Sequence, residues 1–272
     1  MTFFQQELAK TSFCALDLET TGINPALHMI VEVGIVRFTM NSEGEILHRM
    51  VNPGMKIPEE VIGIHGITDD MVAGAPQIGD VLGDIFRMID GSILVIHNPD
   101  FDLAFLKWAY HRGNKPAPPM LAVDTVRLSR RAWPGLCDHR LETLCEHLRL
   151  DYRHHRALDD ARACMDVFRS VARLEDPDRR WTLGDLAGYH GSFVRSKRIR
   201  GKRISTPGQR SMGLQLGKTA TITYRDQDGA FTIRSIQPRE FITVGNNDFV
   251  LAYCNLRGDI RYFRMDRIKA IN

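Results

Sequence analysis

A chain of 272 residues, 43% hydrophobic and 25% charged, is long enough for two domains and apolar enough to bury a core. No stretch approaches the roughly 18 apolar residues of a membrane span, and the start, MTFFQQELAK, lacks the basic-then-apolar pattern of a secretory leader, so a cytoplasmic protein with no membrane partner is expected. The net charge of +3 conceals a split: residues 1–175 carry 18 Lys+Arg against 24 Asp+Glu, and residues 176–272 carry 18 against 9. An acidic front and a basic back suggest different tasks, the basic part meeting a polyanion. The five cysteines form no Cys-x-x-Cys pair, which points to free thiols in a reducing compartment and away from a disulfide frame or a zinc site.

In chain order, three strands are expected over residues 12–18, 29–38 and 45–51. The second alternates Ile30, Glu32, Gly34 and Val36 against Val31, Val33 and Ile35. Apolar residues at helical spacing predict a helix over 76–89; a short buried strand over 92–96 and a helix over 100–112 follow. A strand over 120–123 and helices near 140–148 and 157–174 complete the front half. Strands first and then alternating helices and strands imply an α/β layer with a mixed sheet. Pro177 breaks the last helix, and residues 176–216 read as a basic linker holding RSKRIRGKR, in which Arg195, Lys197, Arg198, Arg200, Lys202 and Arg203 are basic. From residue 217 short alternating runs (TATITY, AFTIRSI, FITV, DFVLAYCN, IRYFR) alternate with turn sequences, predicting a small antiparallel β-barrel domain over 217–272.

The first strand ends in FCALDLETTG. Residues two apart on a strand share a face, so Asp17 and Glu19 lie side by side, and two like charges there need a cation or a basic side chain between them. Two further acidic clusters sit at element ends: Asp102 in the first turn of a helix after His97-Asn98, and Asp159-Asp160 at a helix start after His154-His155. Taken singly, each is an ordinary N-terminal helix acid favoured by the dipole. Helical spacing separates the last two: Asp160 falls on the face of Cys164, Val167, Phe168 and Val171, whereas Asp159 falls on a polar face. A carboxylate on an apolar face needs a partner. Together the clusters supply four carboxylates and a histidine at the rim of one sheet. Hard oxygen ligands without thiolate suit Mg²⁺ or Mn²⁺, and two such ions would neutralise four acids. That set fits metal-dependent phosphodiester hydrolysis, with the histidine taking a proton from the attacking water.

DLETTG, HNPDFD and HRALDDA, in this order and spacing, resemble the three exonuclease motifs of the DEDD superfamily, histidine subclass, to which the proofreading ε subunits of bacterial DNA polymerase III belong. The resemblance covers about residues 10–172 and includes VNPGMKIPEEVIGIHGITDDMV between the first two motifs. It implies an RNase H-like 3′–5′ exonuclease domain over 1–175 releasing nucleoside 5′-monophosphates. Asp17, Glu19, Asp102 and Asp160 would be the metal-binding acids and His155 the general base, with Ala157 setting the register and His154 and Asp159 bystanders. Thr20, Thr21, His65, His97 and Asn98 fall where the family lines its terminal-nucleotide pocket. Pro99 departs from the family, which usually has Ala there. The expected partners are single-stranded DNA or DNA 3′ ends; the same motifs also serve RNA.

FVLAYCNLRGDIRYFRMDRI resembles the end of a WYL domain, a small barrel of bacterial regulators that implies a nucleic-acid or nucleotide ligand bound by Arg257, Arg261, Arg264 and Arg267. The plainer reading pairs these arginines with Asp259 and Asp266 on a solvated face. A rival for the whole chain is a ligand-sensing regulator with a degenerate nuclease half; intact catalytic positions argue against it.

Overall fold

In the computed structural model, residues 2–151, 155–196, 201–203, 212–226, 229–244 and 247–272 are described. The chain forms two compact units: Met1–Ile23, Met29–Pro53 and Ile57–Lys197 make one, and Asn24–His28, Gly54–Lys56 and Arg198–Asn272 the other.

The first unit opens with β1 (Phe13–Thr20), β2 (Ile30–Phe38) and β3 (Glu43–Met50). Helices α1 (Glu59–His65), α2 (Asp69–Val72) and α3 (Ile78–Ile89) lead to β4 (Ile93–Ile96) and α4 (Asp100–Arg112). Then come β5 (Leu121–Asp124), α5 (Thr125–Ala132), α6 (Leu141–Leu148), α7 (Ala157–Glu175), α8 (Leu183–His190) and β6 (Val194–Arg195). The strands form one mixed sheet in the order β3-β2-β1-β4-β5-β6. β1 pairs antiparallel with β2 and parallel with β4, the mixed α/β layer expected from the element order.

Strand parity sorts the core. Cys14, Leu16 and Leu18 face one layer with Leu82, Ile85, Met88, Leu103 and Leu106 of α3 and α4. Phe13 and Ala15 face the other with Val36, Phe38 and the α7 stripe Cys164, Phe168 and Val171. On that second face both central strands change character along their length. β1 runs Phe13, Ala15, Asp17, Glu19 and β2 runs Phe38, Val36, Gly34, Glu32, with Asp17 opposite Gly34 and Glu19 opposite Glu32. At the apolar end Phe13, Phe38 and Phe168 pack with ring centroids 4.8–5.9 Å apart. The other end is acidic, and α7 spans both.

The first unit continues past the expected break at 175. Asp176 accepts the backbone N–H groups of Arg180 and Trp181 at 2.8 and 2.9 Å, turning the chain back. Thr182 and Asp185 then form a reciprocal cap, and α8 buries Leu183 and Leu186 in the α7 layer.

The second unit contains β7 (Gly201–Arg203), β8 (Ala220–Arg225), β9 (Phe231–Val244), β10 (Asn247–Cys254), β11 (Asp259–Arg264) and β12 (Ile268–Ile271). All pairings are antiparallel, as expected, but the sheet is open rather than a closed barrel: its order is β11-β10-β9-β8-β12, with β7 also on β9. The three-residue turn Met265–Arg267 joins strands at the two ends of this order, so the sheet curls strongly, yet no rung closes it among the described residues. AFTIRSI and FITV, expected as two strands, are one. Pro238 lacks an N–H, but it sits at a bulge where Ala252 faces Pro238 and Leu251 faces Glu240, so the bulge absorbs Arg239 and the strand continues. Among the described residues no helix is long and apolar enough to cross a membrane.

Candidate active site

Asp17 and Glu19 project from the last turns of pleat in β1 toward α7, half-buried. Asp102, 3% exposed, enters from the first turn of α4, where the backbone of Leu18 supports its carboxylate. Asp160, 5% exposed, lies one turn into α7 at the head of its buried stripe; Asp159 beside it is only half-buried. His155 is exposed, two residues before α7, with φ at +58°, a left-handed conformation that aims the ring back over the helix start. One ligand atom each from Glu19, His155 and Asp160 lie within 4.8 Å of one another. His155 Nε2 is 3.7 Å from Glu142 Oε1 on α6. His154 lies outside the described residues.

This packing of acids has an electrostatic signature. Burial, and then the charges of Asp160, Glu32 and Asp102, push the Glu19 carboxyl up to about 8. Burial also raises Asp102 to about 8, the Asp160 charge adding to it. Asp17 is driven well above the ordinary range by burial and then by Asp102, Asp160 and Glu19. Asp102 Oδ1 is buried with no hydrogen-bond partner among the described residues. A divalent cation fits this set: every acid offers oxygen, the buried Asp102 Oδ1 gains a partner, and the repulsion is neutralised.

Glu32, opposite Glu19, behaves in the reverse sense. Its burial alone would raise it, but hydrogen bonds from Arg156, His48 and the Ala157 N–H outweigh that and hold it below the ordinary carboxylate range. Sequence reasoning set Glu32 among the apolar residues of its strand face without assigning it a role. The signal was there: a carboxylate in a buried row, two residues before a glycine.

The other expected pocket residues divide by what already occupies them. Thr20 donates its hydroxyl to the Gly22 carbonyl at 2.8 Å, and the Thr21 hydroxyl accepts from Met29 N–H at 3.0 Å, so both shape the loop after β1. His65, at the end of α1, accepts the Ile67 N–H on Nδ1, which leaves the proton on Nε2; burial holds it below the usual histidine range, and the charges of Glu32 and His155 act on it. His97 shares a 2.8 Å hydrogen bond with the buried Thr125 hydroxyl. Asn98 is exposed with φ at +62°, and its N–H donates to Asp124 Oδ1 at 3.2 Å. Asp124 also caps α5 through Val126 N–H, and its own N–H donates to His190 of α8 at 2.8 Å. Asp124 and His190 therefore brace the second motif from outside it. Pro99 is the N-cap of α4, and that helix starts without a break.

The basic residues are more dispersed. Arg195 is exposed on β6. Lys197, Arg198 and Arg200 lie outside the described residues, and Lys202 and Arg203 are described only as β7 backbone. In the second unit Arg257 and Arg261 are exposed, and Arg267 is half-buried. Arg264 donates to Asp266 at 2.8 and 2.5 Å, the plainer reading of that arginine. Phe263 is buried in the core, while Tyr253 and Tyr262 are half-buried.

An RNase_T (Exonuclease) family model matches residues 14–168, and a WYL domain model matches residues 212–272. The PolC-type DNA polymerase III of Oceanobacillus iheyensis is 38% identical over 199 residues, covering 71% of this chain but 14% of that protein. The chain thus spans a small fraction of such relatives. The DNA polymerase III subunit epsilon of Treponema pallidum is 35% identical over 163 residues, 59% of this chain and 76% of the relative. Among solved structures, Exonuclease X in complex with 5′ overhanging duplex DNA aligns with a TM-score of 0.52 at 26% identity, covering 66% of this chain and 99% of that one.

Proposed function

The chain belongs to the RNase_T exonuclease family, and from that premise we propose that it removes nucleotides one at a time from the 3′ end of DNA and releases nucleoside 5′-monophosphates. The observation that carries this reading is the convergence of Asp17, Glu19, Asp102 and Asp160 beneath His155. Asp17, Glu19, Asp102 and Asp160 would hold two Mg²⁺ or Mn²⁺ ions. When bound, such a pair supplies the positive charge that stabilises the attacking and leaving oxygens of a phosphoryl displacement.

The chain's own groups account for the rest. His155 takes a proton from a water as its oxygen bonds to the terminal phosphorus; exposure of the ring leaves it open to that water. The bond from phosphorus to the 3′ oxygen of the preceding nucleotide breaks, and that oxygen leaves with the polymer. The phosphate stays on the 5′ side of the released nucleotide. Glu142 orients the His155 ring. Thr20, Thr21, His65, His97 and Asn98 form the wall against which the terminal nucleotide rests. DNA is favoured by the relatives, which include two DNA polymerase III proteins and an exonuclease solved with duplex DNA. The second unit, with Arg257 and Arg261 exposed, holds the polymer.

The test is degradation of 3′-labelled DNA and RNA oligomers, and of a circular single strand, with Mg²⁺, Mn²⁺ or EDTA. Mononucleotide release from linear DNA, abolished by EDTA, is expected. Cutting of the circle would overturn the exonuclease reading, and faster release from RNA would overturn DNA as the substrate.

A further inference from the structure

Glu32 is fully buried in the middle of the first unit, 124 residues before the basic side chain it binds. Its Oε1 accepts from Arg156 Nη2 at 3.0 Å and Nε at 3.2 Å, and from His48 Nε2 at 2.7 Å. Its Oε2 accepts the Ala157 N–H at 3.0 Å, one of the backbone donors that the start of α7 cannot satisfy within the helix. Two residues along the same face, Gly34 has no side chain, and a Cβ there would lie 2.2 Å from the carbonyl carbon and oxygen of Ala157. β2 is therefore shaped to receive the start of α7 at van der Waals contact, with Glu32 fastening it. The fastened segment is His155 to Ala157, and Asp160 follows within the next turn.

We infer that Glu32 is a positioning residue for the candidate metal site, fixing the start of α7 on β2 and holding the Arg156 guanidinium away from the acids that would bind a cation. This rests on the reading of Asp17, Glu19, Asp102 and Asp160 as that set. Arg156 needs holding because Glu19 is directly across the strand pair from Glu32, and the Arg156 charge already acts on it. The guanidinium has five donors and an obligate charge. With Glu32 ionised, two of those donors and the charge are committed to a carboxylate outside the site. With that carboxylate neutralised, as in Glu32→Gln, the Arg156 charge is left to the acids it already acts on, Asp159 and Glu19, and an arginine seated at Glu19 takes the place of a metal ion. Glu32 is thus a carboxylate whose task is to keep a cation out of a cation site.

Calorimetric titration of the full chain with Mn²⁺, in the absence of DNA, separates this from a general packing role. Glu32→Gln keeps the size of the side chain and one acceptor but loses the charge. It is expected to bind Mn²⁺ about tenfold more weakly than the wild type, the equivalent of about 1.4 kcal/mol. Adding Arg156→Gln to Glu32→Gln removes the competing charge and is expected to restore binding toward the wild-type value. Thermal melting of each variant establishes that it is folded at the titration temperature. Unchanged binding in Glu32→Gln would overturn the inference. Equal weakness in the single and double variants would overturn the competition with Arg156, since a loosened scaffold is not repaired by a second lost hydrogen bond. A wild-type chain that binds no Mn²⁺ would overturn both the inference and the reading of the acids beneath it.

Discussion

Asp160 and Asp159 are adjacent in sequence and opposite in environment, one 5% exposed at the head of the α7 stripe and the other half in water. Asp160→Asn should cut turnover by at least about a hundredfold, the scale of losing a preorganised electrostatic group; Asp159→Asn should leave it near wild type. Single-turnover assays on one oligomer decide this, and comparable losses would displace the register of the third motif. His155→Ala against His154→Ala is the parallel comparison, with about 10²–10⁴-fold expected for a general base and little for its neighbour. The raised carboxyls carry a second prediction. Glu19 and Asp102 sit at about 8 in the folded chain against 4.5 and 3.8 ordinarily, because burial and like charges oppose ionisation. The folded, metal-free protein therefore retains protons that the unfolded chain has released. The stability from those protons is fully present below about pH 4 and is lost as the pH climbs toward about 8. In EDTA the melting temperature should fall between roughly pH 4 and pH 8, and saturating Mn²⁺ should flatten the fall because the cation takes the protons' place. A flat profile in EDTA would contradict the crowding of these acids.

Elements carry a different kind of information. The acids were legible in the sequence because each motif is local: a strand end, a helix start, a helix start, each with its polar residues at fixed spacing. The brace that unites them was not, since Glu32 meets Arg156 and Ala157 only after the intervening elements have folded. A strand written Ile30, Glu32, Gly34, Val36 shows a carboxylate and a gap but not what fills them. Helix α8 was hidden for another reason: the Thr182 and Asp185 cap is visible at the right spacing, but the basic run after it made the whole segment read as linker. Pro238 misled in the opposite direction, dividing β9 because a proline usually marks a break, and a bulge at Arg239 in the same strand shows only in its pairing with β10. At this scale Gly34→Ala is the informative change. Its Cβ would overlap the Ala157 backbone at 2.2 Å, so α7 must lift from β2. A loss of about 1–3 kcal/mol or more is expected from overpacking of this kind. Turnover should fall further than the stability loss alone predicts, and chemical denaturation alongside kinetics would show whether the two losses separate.

For the molecule as a whole, the charge division sets the prediction. The front 175 residues are acidic and the remainder basic, so a polyanion should be gathered by the back and cut by the front. The place to divide them is after Ser196 rather than near Glu175, because α8 and β6 complete the first unit's core and sheet. A chain ended there should still hydrolyse short oligomers, while its affinity for long single strands falls and the salt dependence of binding shallows. Equal affinity and equal salt slope for the two lengths would refute a capture role and leave the open sheet of the second unit to ligand sensing or partner docking. The two-unit plan and the exonuclease architecture were readable from composition and motifs; the unclosed sheet was not, since strand lengths and turns are the same whether the last rung forms or fails. The fastening of α7 onto β2 also has a consequence in time. Asp17, Glu19 and Glu32 leave the ribosome early, whereas His155, Asp160 and Arg156 come more than 120 residues later. A nascent chain thus holds only part of the candidate site until the final long helix is synthesised and docks. In refolding, amide protection in β1 and β2 should therefore precede the return of hydrolysis, and the interval between them is the time α7 takes to find its seat.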